Sequence, residues 1–146
     1  MIKRLVILFA LIFVISNSYA QNCSFTTTTS VNFGTYNPFS ATPDNSVGAL
    51  TVRCTGNGGP TPTILLSKGN SSTYARFMKS GVNQMLYNLY TDSAHSQVWG
   101  DGSPGTTTVQ VPKKAITSVN VYGQIPAGQD VAVGSYTDSI VATVNF

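Results

Sequence analysis

The sequence contains no glutamate and little charge of either sign. Charged residues make up 9% of the 146 residues, whereas 42% are hydrophobic, and all five acidic residues are Asp. Long surface helices normally use Glu, Lys and Arg, so this composition disfavours a mostly helical protein. The hydrophobic share also excludes a charge-rich disordered chain.

Histidine and cysteine are scarce, which limits the chemistry that the chain can perform. The one histidine, His95, lies in a polar stretch, and five scattered Asp residues leave a zinc site short of ligands. No Gly-x-Ser-x-Gly motif marks a nucleophilic serine. Asp101 begins a short Asp-Gly-Ser stretch that lacks the other ligands of a calcium loop. We therefore expect no catalytic residues, no metal, no cofactor and no enzymatic activity.

The N-terminal 20 residues have the layout of a secretory signal peptide. Lys3 and Arg4 precede an apolar run at 5–15, and small residues stand at Ser18 and Ala20, where a signal peptidase cleaves. The run is shorter than the roughly 20 residues that a membrane span needs. We predict cleavage after Ala20, a mature domain at 21–146 and no membrane span.

Removal of the leader also removes most of the positive charge. Six basic residues then remain against five acidic ones, a net charge of +1. This balance gives no electrostatic indication of a nucleic-acid partner or of an anionic membrane.

Export makes the two cysteines interpretable, since oxidising compartments favour disulfides. Cys23 and Cys54 can form one bond, closing a loop of about 32 residues and stabilising the fold by roughly 3–4 kcal/mol. The alternative is lipidation of Cys23. Asn22 is not the small residue expected directly before a lipidated cysteine, and lipidation would leave Cys54 unpaired. The sequence therefore favours the disulfide.

The mature chain alternates apolar and polar residues with a period of two, which indicates strands. The clearest case is residues 136–146, where Ile140, Ala142, Val144 and Phe146 share one face opposite a polar face. Such a pattern is typical of a half-buried antiparallel strand. This strand runs to Phe146.

Several shorter segments are also predicted as strands, separated by turn clusters rich in Gly, Pro, Asn and Asp. These segments are residues 25–33, 47–54, 63–67, 84–91, 106–111 and 116–125. Residues 71–78 are assigned a single helical turn. Short strands at this spacing predict one all-β domain with the architecture of a β-sandwich.

Short motifs follow Cys23 in a fixed order through the mature chain. They are VNFGTYNP at 31–38, GALTVRC at 48–54, LLSKG at 65–69, RFM at 76–78, LYNLYTD at 86–92, VWGDG at 98–102, YGQIPAGQ at 122–129 and GSYTD at 134–138. This order resembles the spore coat protein U domain family, which is similar to the subunits of archaic chaperone–usher pili. The resemblance implies an immunoglobulin-like Greek-key sandwich that lacks its last edge strand. A periplasmic chaperone strand, and then the N-terminal extension of another subunit, would fill the gap.

The resemblance also implies a site and partners. Ile140, Ala142, Val144 and Phe146 would line the donor-strand groove. The implied partners are a periplasmic chaperone, an outer-membrane usher and other pilus subunits. The implied location is the cell surface, in a fimbrium reached through the periplasm, or the extracellular space.

At its other end the chain departs from the polymerising pattern of the family. Cleavage after Ala20 leaves only Gln21 and Asn22 ahead of Cys23, too short a segment to act as a donor strand. The sequence therefore predicts a tip or terminal subunit, involved in adhesion or biofilm formation, and not a repeating stalk unit.

Two other functions remain open at the level of sequence. One is a spore or cell-surface coat protein that forms no fibre. The other is a secreted carbohydrate-binding module, since Tyr87, Tyr90 and Trp99 lie close in sequence and aromatic rings can stack on sugars. The competing role for these three residues is packing within the sandwich.

Overall fold

The computed structural model describes residues 20–146, so the predicted signal peptide up to residue 19 lies outside the part described. Nine strands and no helix are found in this part. The strands are β1 (Asn22–Thr29), β2 (Asp44–Thr55), β3 (Thr63–Leu66), β4 (Phe77–Ser80), β5 (Asn83–Leu86), β6 (Asn88–Tyr90), β7 (Val109–Gln110), β8 (Ile116–Ile125) and β9 (Ala142–Asn145). A helix with the length and hydropathy of a membrane span is absent from residues 20–146.

The strands form two facing sheets, with a separate β4–β5 hairpin beside them. One sheet has the order β1-β2-β8-β6, and the other has the order β7-β3-β9. In an immunoglobulin domain the first, second, fifth and fourth strands share one sheet, and the third and sixth share the other. With β7 and the β4–β5 hairpin counted as additions, the remaining six strands have the same arrangement. β1, β2, β8 and β6 then correspond to the first, second, fifth and fourth strands, and β3 and β9 to the third and sixth. The predicted all-β sandwich is confirmed.

The core lies between the sheets and is built from alternate residues of the long strands. Leu50, Val52 and Cys54 point inwards from β2, and Val121 and Ile125 do so from β8. These two strands pair over ten residues, from Asp44 opposite Ile125 to Arg53 opposite Ile116. Burial of this alternating face is the main stabilising contribution to the sandwich.

One positive charge, Arg76, is completely buried in this core. Its Nη2 donates to the carbonyl oxygens of Ser67 and Trp99, at 2.7 Å each, and its Nη1 donates to Asn88 Oδ1 at 2.8 Å. The guanidinium also lies 5.0 Å from the centre of the Tyr74 ring. Burial lowers the pKa of Arg76, while nearby Tyr87, Tyr74 and Asp138 act in the opposite direction. Arg76 therefore joins the segment after β3, the start of β6 and the segment at Trp99.

Two predicted strands differ from the structure at their ends. The segment predicted at 25–33 begins earlier, at Asn22, and leaves the sheet after Thr29, with a register shift between Phe25 and Thr27. The segment predicted at 84–91 is divided, because β5 pairs with β4 whereas β6 pairs with β8. Its alternation nevertheless persists through Met85, Tyr87 and Leu89, all of which are buried.

Three other predictions need correction. The final strand covers only Ala142–Asn145 and not all of 136–146, since Thr137 instead exchanges two backbone hydrogen bonds with Lys79, at 2.8 and 3.0 Å. The strand predicted at 106–111 is reduced to Val109–Gln110. Residues 71–78 contain no helical turn, because the side chains of Ser71 and Thr73 accept nearby backbone N–H groups in competition with helical bonds.

The predicted disulfide is present and gives a stability test. Cys23 and Cys54 are directly opposite in β1 and β2, with Cα atoms 4.1 Å apart. Replacing Cys54 with Ser should lower the free energy of unfolding by about 2–5 kcal/mol, because the cross-link no longer restricts the unfolded chain. Thermal unfolding with and without reductant measures this effect. Two free thiols in non-reducing mass spectrometry of the native protein would contradict the assignment.

The role of Arg76 is tested by Arg76→Met, with Arg53→Met as the matched control. Arg76→Met leaves the carbonyl oxygens of Ser67 and Trp99 without a donor, which costs about 1–3 kcal/mol for each buried oxygen that stays unpaired. Asn88 Oδ1 still accepts the backbone N–H of Leu89 at 2.9 Å. Arg53 is exposed on β2, so its replacement should change stability by about 0.5 kcal/mol or less. Urea denaturation of both variants measures the difference, and equal midpoints would refute the role given to Arg76.

A cleft between two sheet edges

A large apolar cleft opens between the two sheets, on the side where β1 and β9 form their edges. Its volume is about 1120 Å³. Its floor consists of core side chains from both sheets and from the β4–β5 hairpin. These residues are Leu50, Leu66, Met78, Met85, Tyr87, Leu89, Val121 and Ile125. The sandwich is therefore open along one side and exposes part of its own core there.

One wall of the cleft is formed by residues 131–138, Ile140 and Ala142, where the chain leads into β9. Within residues 20–146, β9 pairs with β3 and with no second strand. Ser67 N donates to Val141 O at 2.9 Å, so Val141 directs its backbone groups towards the β3 side. Backbone groups alternate along an antiparallel strand, so those of Ala142 and Val144 point away from β3. The open edge thus presents an unfilled hydrogen-bonding row next to an apolar floor.

The four residues that the sequence predicts to line the groove have different environments in the structure. Ile140 and Ala142 line the cleft and are half-buried against the core. Val144 lies on the same face and packs against the core, but beyond the cleft lining. Phe146 is 43% exposed at the end of the strand. The apolar face of the alternating pattern is thus the inward face of this segment, and the cleft is lined by its first two members, Ile140 and Ala142.

The opposite wall was not anticipated from the sequence. After β1 the segment at 30–36 crosses the inner face of the four-stranded sheet above Gly48 and Gly123. A Cβ atom at Gly123 would lie 2.5 Å from Val31 Cγ1 and 2.7 Å from Phe33 Cζ. Glycine inside a strand often marks a close approach of another chain segment, so Gly48 and Gly123 are the sequence signal for this crossing.

Asp138 anchors the loop at the mouth of the cleft. Its Oδ1 accepts the backbone N–H groups of Asn70 at 2.8 Å and Ser139 at 2.7 Å, and its Oδ2 accepts the Tyr87 hydroxyl at 2.7 Å. Burial and the neighbouring Asp138 carboxylate raise the pKa of Tyr87 well above its usual value. The hydroxyl therefore stays protonated and keeps donating to Asp138. This bond fixes the position of the loop that leads into β9.

The three aromatic residues considered for sugar stacking lie in different environments. Trp99 is 0% exposed and its Nε1 donates to Ile64 O at 3.0 Å, and Tyr87 is also buried. Buried rings present no face to a sugar, so packing is the role of these two residues. Tyr90 is half-buried on the outer side of the four-stranded sheet, where His95 approaches it. No group of three His, Cys, Asp or Glu side chains suited to a metal occurs in the described part of the chain.

Comparison with a solved structure agrees with this architecture. The chain resembles the crystal structure of the CsuC–CsuE chaperone–tip adhesion subunit pre-assembly complex from archaic chaperone–usher Csu pili of Acinetobacter baumannii. The TM-score is 0.55 and the identity 22%, over 87% of this chain and 40% of the matched chain. The match thus spans less than half of that longer chain, and at this identity it shows a shared fold.

Comparison with known sequences identifies the family. Protein U of Myxococcus xanthus is 35% identical over 130 residues, which cover 80% of this chain and 71% of Protein U. The Spore Coat Protein U domain itself matches residues 10–143, nearly the whole sequence. With its motif order, sandwich fold and these matches taken together, the chain belongs to the Spore Coat Protein U domain family.

Proposed function

We propose that this chain is an exported structural subunit of a cell-surface fibre of the archaic chaperone–usher kind. The observation that carries the proposal is the apolar cleft beside the unpaired edge of β9. A periplasmic chaperone would fill this cleft first, and a strand from another subunit would replace it during assembly at an outer-membrane usher. Family membership indicates a structural protein and not an enzyme.

The shape and chemistry of the cleft suit an extended strand. The outward backbone groups of Ala142 and Val144 would pair with its main chain, which supplies affinity without regard to sequence. Every second side chain of the strand would point inwards to the floor around Leu66 and Leu89. An inserted strand therefore needs alternating apolar residues.

A terminal position in the fibre follows from the predicted cleavage after Ala20. On that prediction only Gln21 and Asn22 precede Cys23, so the subunit accepts a strand and donates none. The solved structure that the chain resembles is a chaperone–tip adhesion subunit complex, which supports the same position and a role in adhesion or biofilm formation.

A second candidate function is a coat protein that assembles on a spore or cell surface without forming a fibre. It is supported by the name of the matching domain and by the similarity to Protein U. The two functions differ in what they require of the cleft, because only a fibre subunit needs it to be filled by a strand from another protein.

Occupation of the cleft is tested by fusing a strand after Phe146 through a short flexible linker. A strand with alternating Val and Thr should raise the melting temperature by about 10 °C or more, since each kcal/mol gained shifts it by about 2–8 °C in a domain of this size. The matched control carries Asp at each Val position and should give no rise. An unchanged melting temperature with the alternating strand would contradict the acceptor role.

The terminal position is tested by the ability to polymerise. The mature chain alone should stay monomeric, whereas a variant with an alternating apolar extension before Gln21 should form fibres, because it then carries both an acceptor and a donor. Electron microscopy and size-exclusion chromatography distinguish the two results. Fibres grown from the unmodified mature chain would exclude a terminal role while leaving the acceptor function intact.

A further inference from the structure

A second surface lies on the outer face of the four-stranded sheet, on the far side from the cleft. Val47 of β2, Tyr122 of β8 and Tyr90 of β6 form one row across three strands, each directly opposite the next. Their sequence neighbours Val121 and Leu89 point into the core, so this row faces outwards. Val47 is 53% exposed and both tyrosines are half-buried.

His95 completes an aromatic cluster with this row. Its ring centre lies 5.2 Å from that of Tyr90 and 6.5 Å from that of Tyr122, nearly perpendicular to both. His95 has a φ of 54°, a left-handed conformation that costs a non-glycine residue about 1–2 kcal/mol. The loop keeps this conformation because the Asp92 carboxylate accepts the N–H groups of Ser96 and Gln97, at 3.1 and 2.9 Å.

Side-chain amides border the aromatic row on both sides. Gln124 Nε2 donates to Asn45 Oδ1 at 3.0 Å along one side, and Asn120 Nδ2 donates to the Tyr122 hydroxyl at 3.2 Å along the other. The other polar atom of each amide forms no hydrogen bond within residues 20–146; these atoms are Asn45 Nδ2, Gln124 Oε1 and Asn120 Oδ1. The amides therefore retain both donors and acceptors for a ligand. The outward face made by these three strands, over four residues along each strand, measures about 10 by 13 Å.

We propose that this outer face, which we call the aromatic platform, binds a neutral oligosaccharide. The platform consists of Val47, Tyr90, His95 and Tyr122 with the amides of Asn45, Asn120 and Gln124. Tyrosine rings combine an apolar face with a polar tip, which suits the CH faces and hydroxyl groups of a sugar. Its strand residues include no Lys, Arg or Asp, and the nearby Asp92 carboxylate is already used by Ser96 and Gln97. A neutral ligand therefore fits better than a charged one, and the site is independent of the cleft.

The test measures binding of the purified exported chain to a panel of immobilised oligosaccharides. The panel holds neutral glycans ending in glucose, galactose, mannose or N-acetylglucosamine, together with sialylated and sulfated ones. Tyr90→Ala and Tyr122→Ala should each weaken binding of the preferred neutral glycan about tenfold, which corresponds to about 1.4 kcal/mol. The control Phe39→Ala removes a 93% exposed ring from another loop and should bind like the unmodified protein.

A measurement on the unmodified protein keeps the test valid if a tyrosine variant unfolds. Addition of the preferred glycan should shift the NMR signals of the His95 imidazole, the one histidine in the sequence. Unmoved His95 signals, binding restricted to acidic glycans, no glycan binding at all, or equal weakening by Phe39→Ala would each overturn the proposal.

Discussion

The unpaired edge of β9 is the constraint on which the rest of this structure depends. A backbone group that is buried without a partner costs about 1–3 kcal/mol, so a sandwich cannot close its core over such an edge. Water or an added strand must satisfy it. The sheets consequently stay apart on that side, which leaves the cleft of about 1120 Å³ above buried residues such as Leu66 and Met85. An exposed edge is also a template for pairing with other chains, the property that strand addition uses.

Polar groups in the interior hold the walls of this cleft in place. Arg76 joins the carbonyl oxygens of Ser67 and Trp99, and Asp138 joins Asn70 to Tyr87. Hydrogen bonds in a low-dielectric interior are strong when complete, so these two residues give rigidity to loops that lack regular pairing. These bonds thus fix the loops around the cleft within the chain itself.

The same strands serve two surfaces because side chains alternate across a sheet. In β8, Val121 and Ile125 face the cleft, while Tyr122 and Gln124 face outwards to the aromatic platform. A strand entering the cleft would leave the platform accessible, since the sheet separates the two. One domain of this size can therefore combine assembly on one face with ligand binding on the other.

Much of this organisation was predictable from local features of the sequence. Strand alternation identified β8 at its observed bounds and the inward face of β9, and the cysteine pair identified the disulfide. Three other features depend on partners distant in the chain. These are the boundary between β5 and β6, the burial of Trp99, and the wall formed by segment 30–36. Alternation reports which face of a strand is apolar. Only the tertiary structure decides which strand lies opposite, because pairing and burial are set by contacts between residues far apart in sequence.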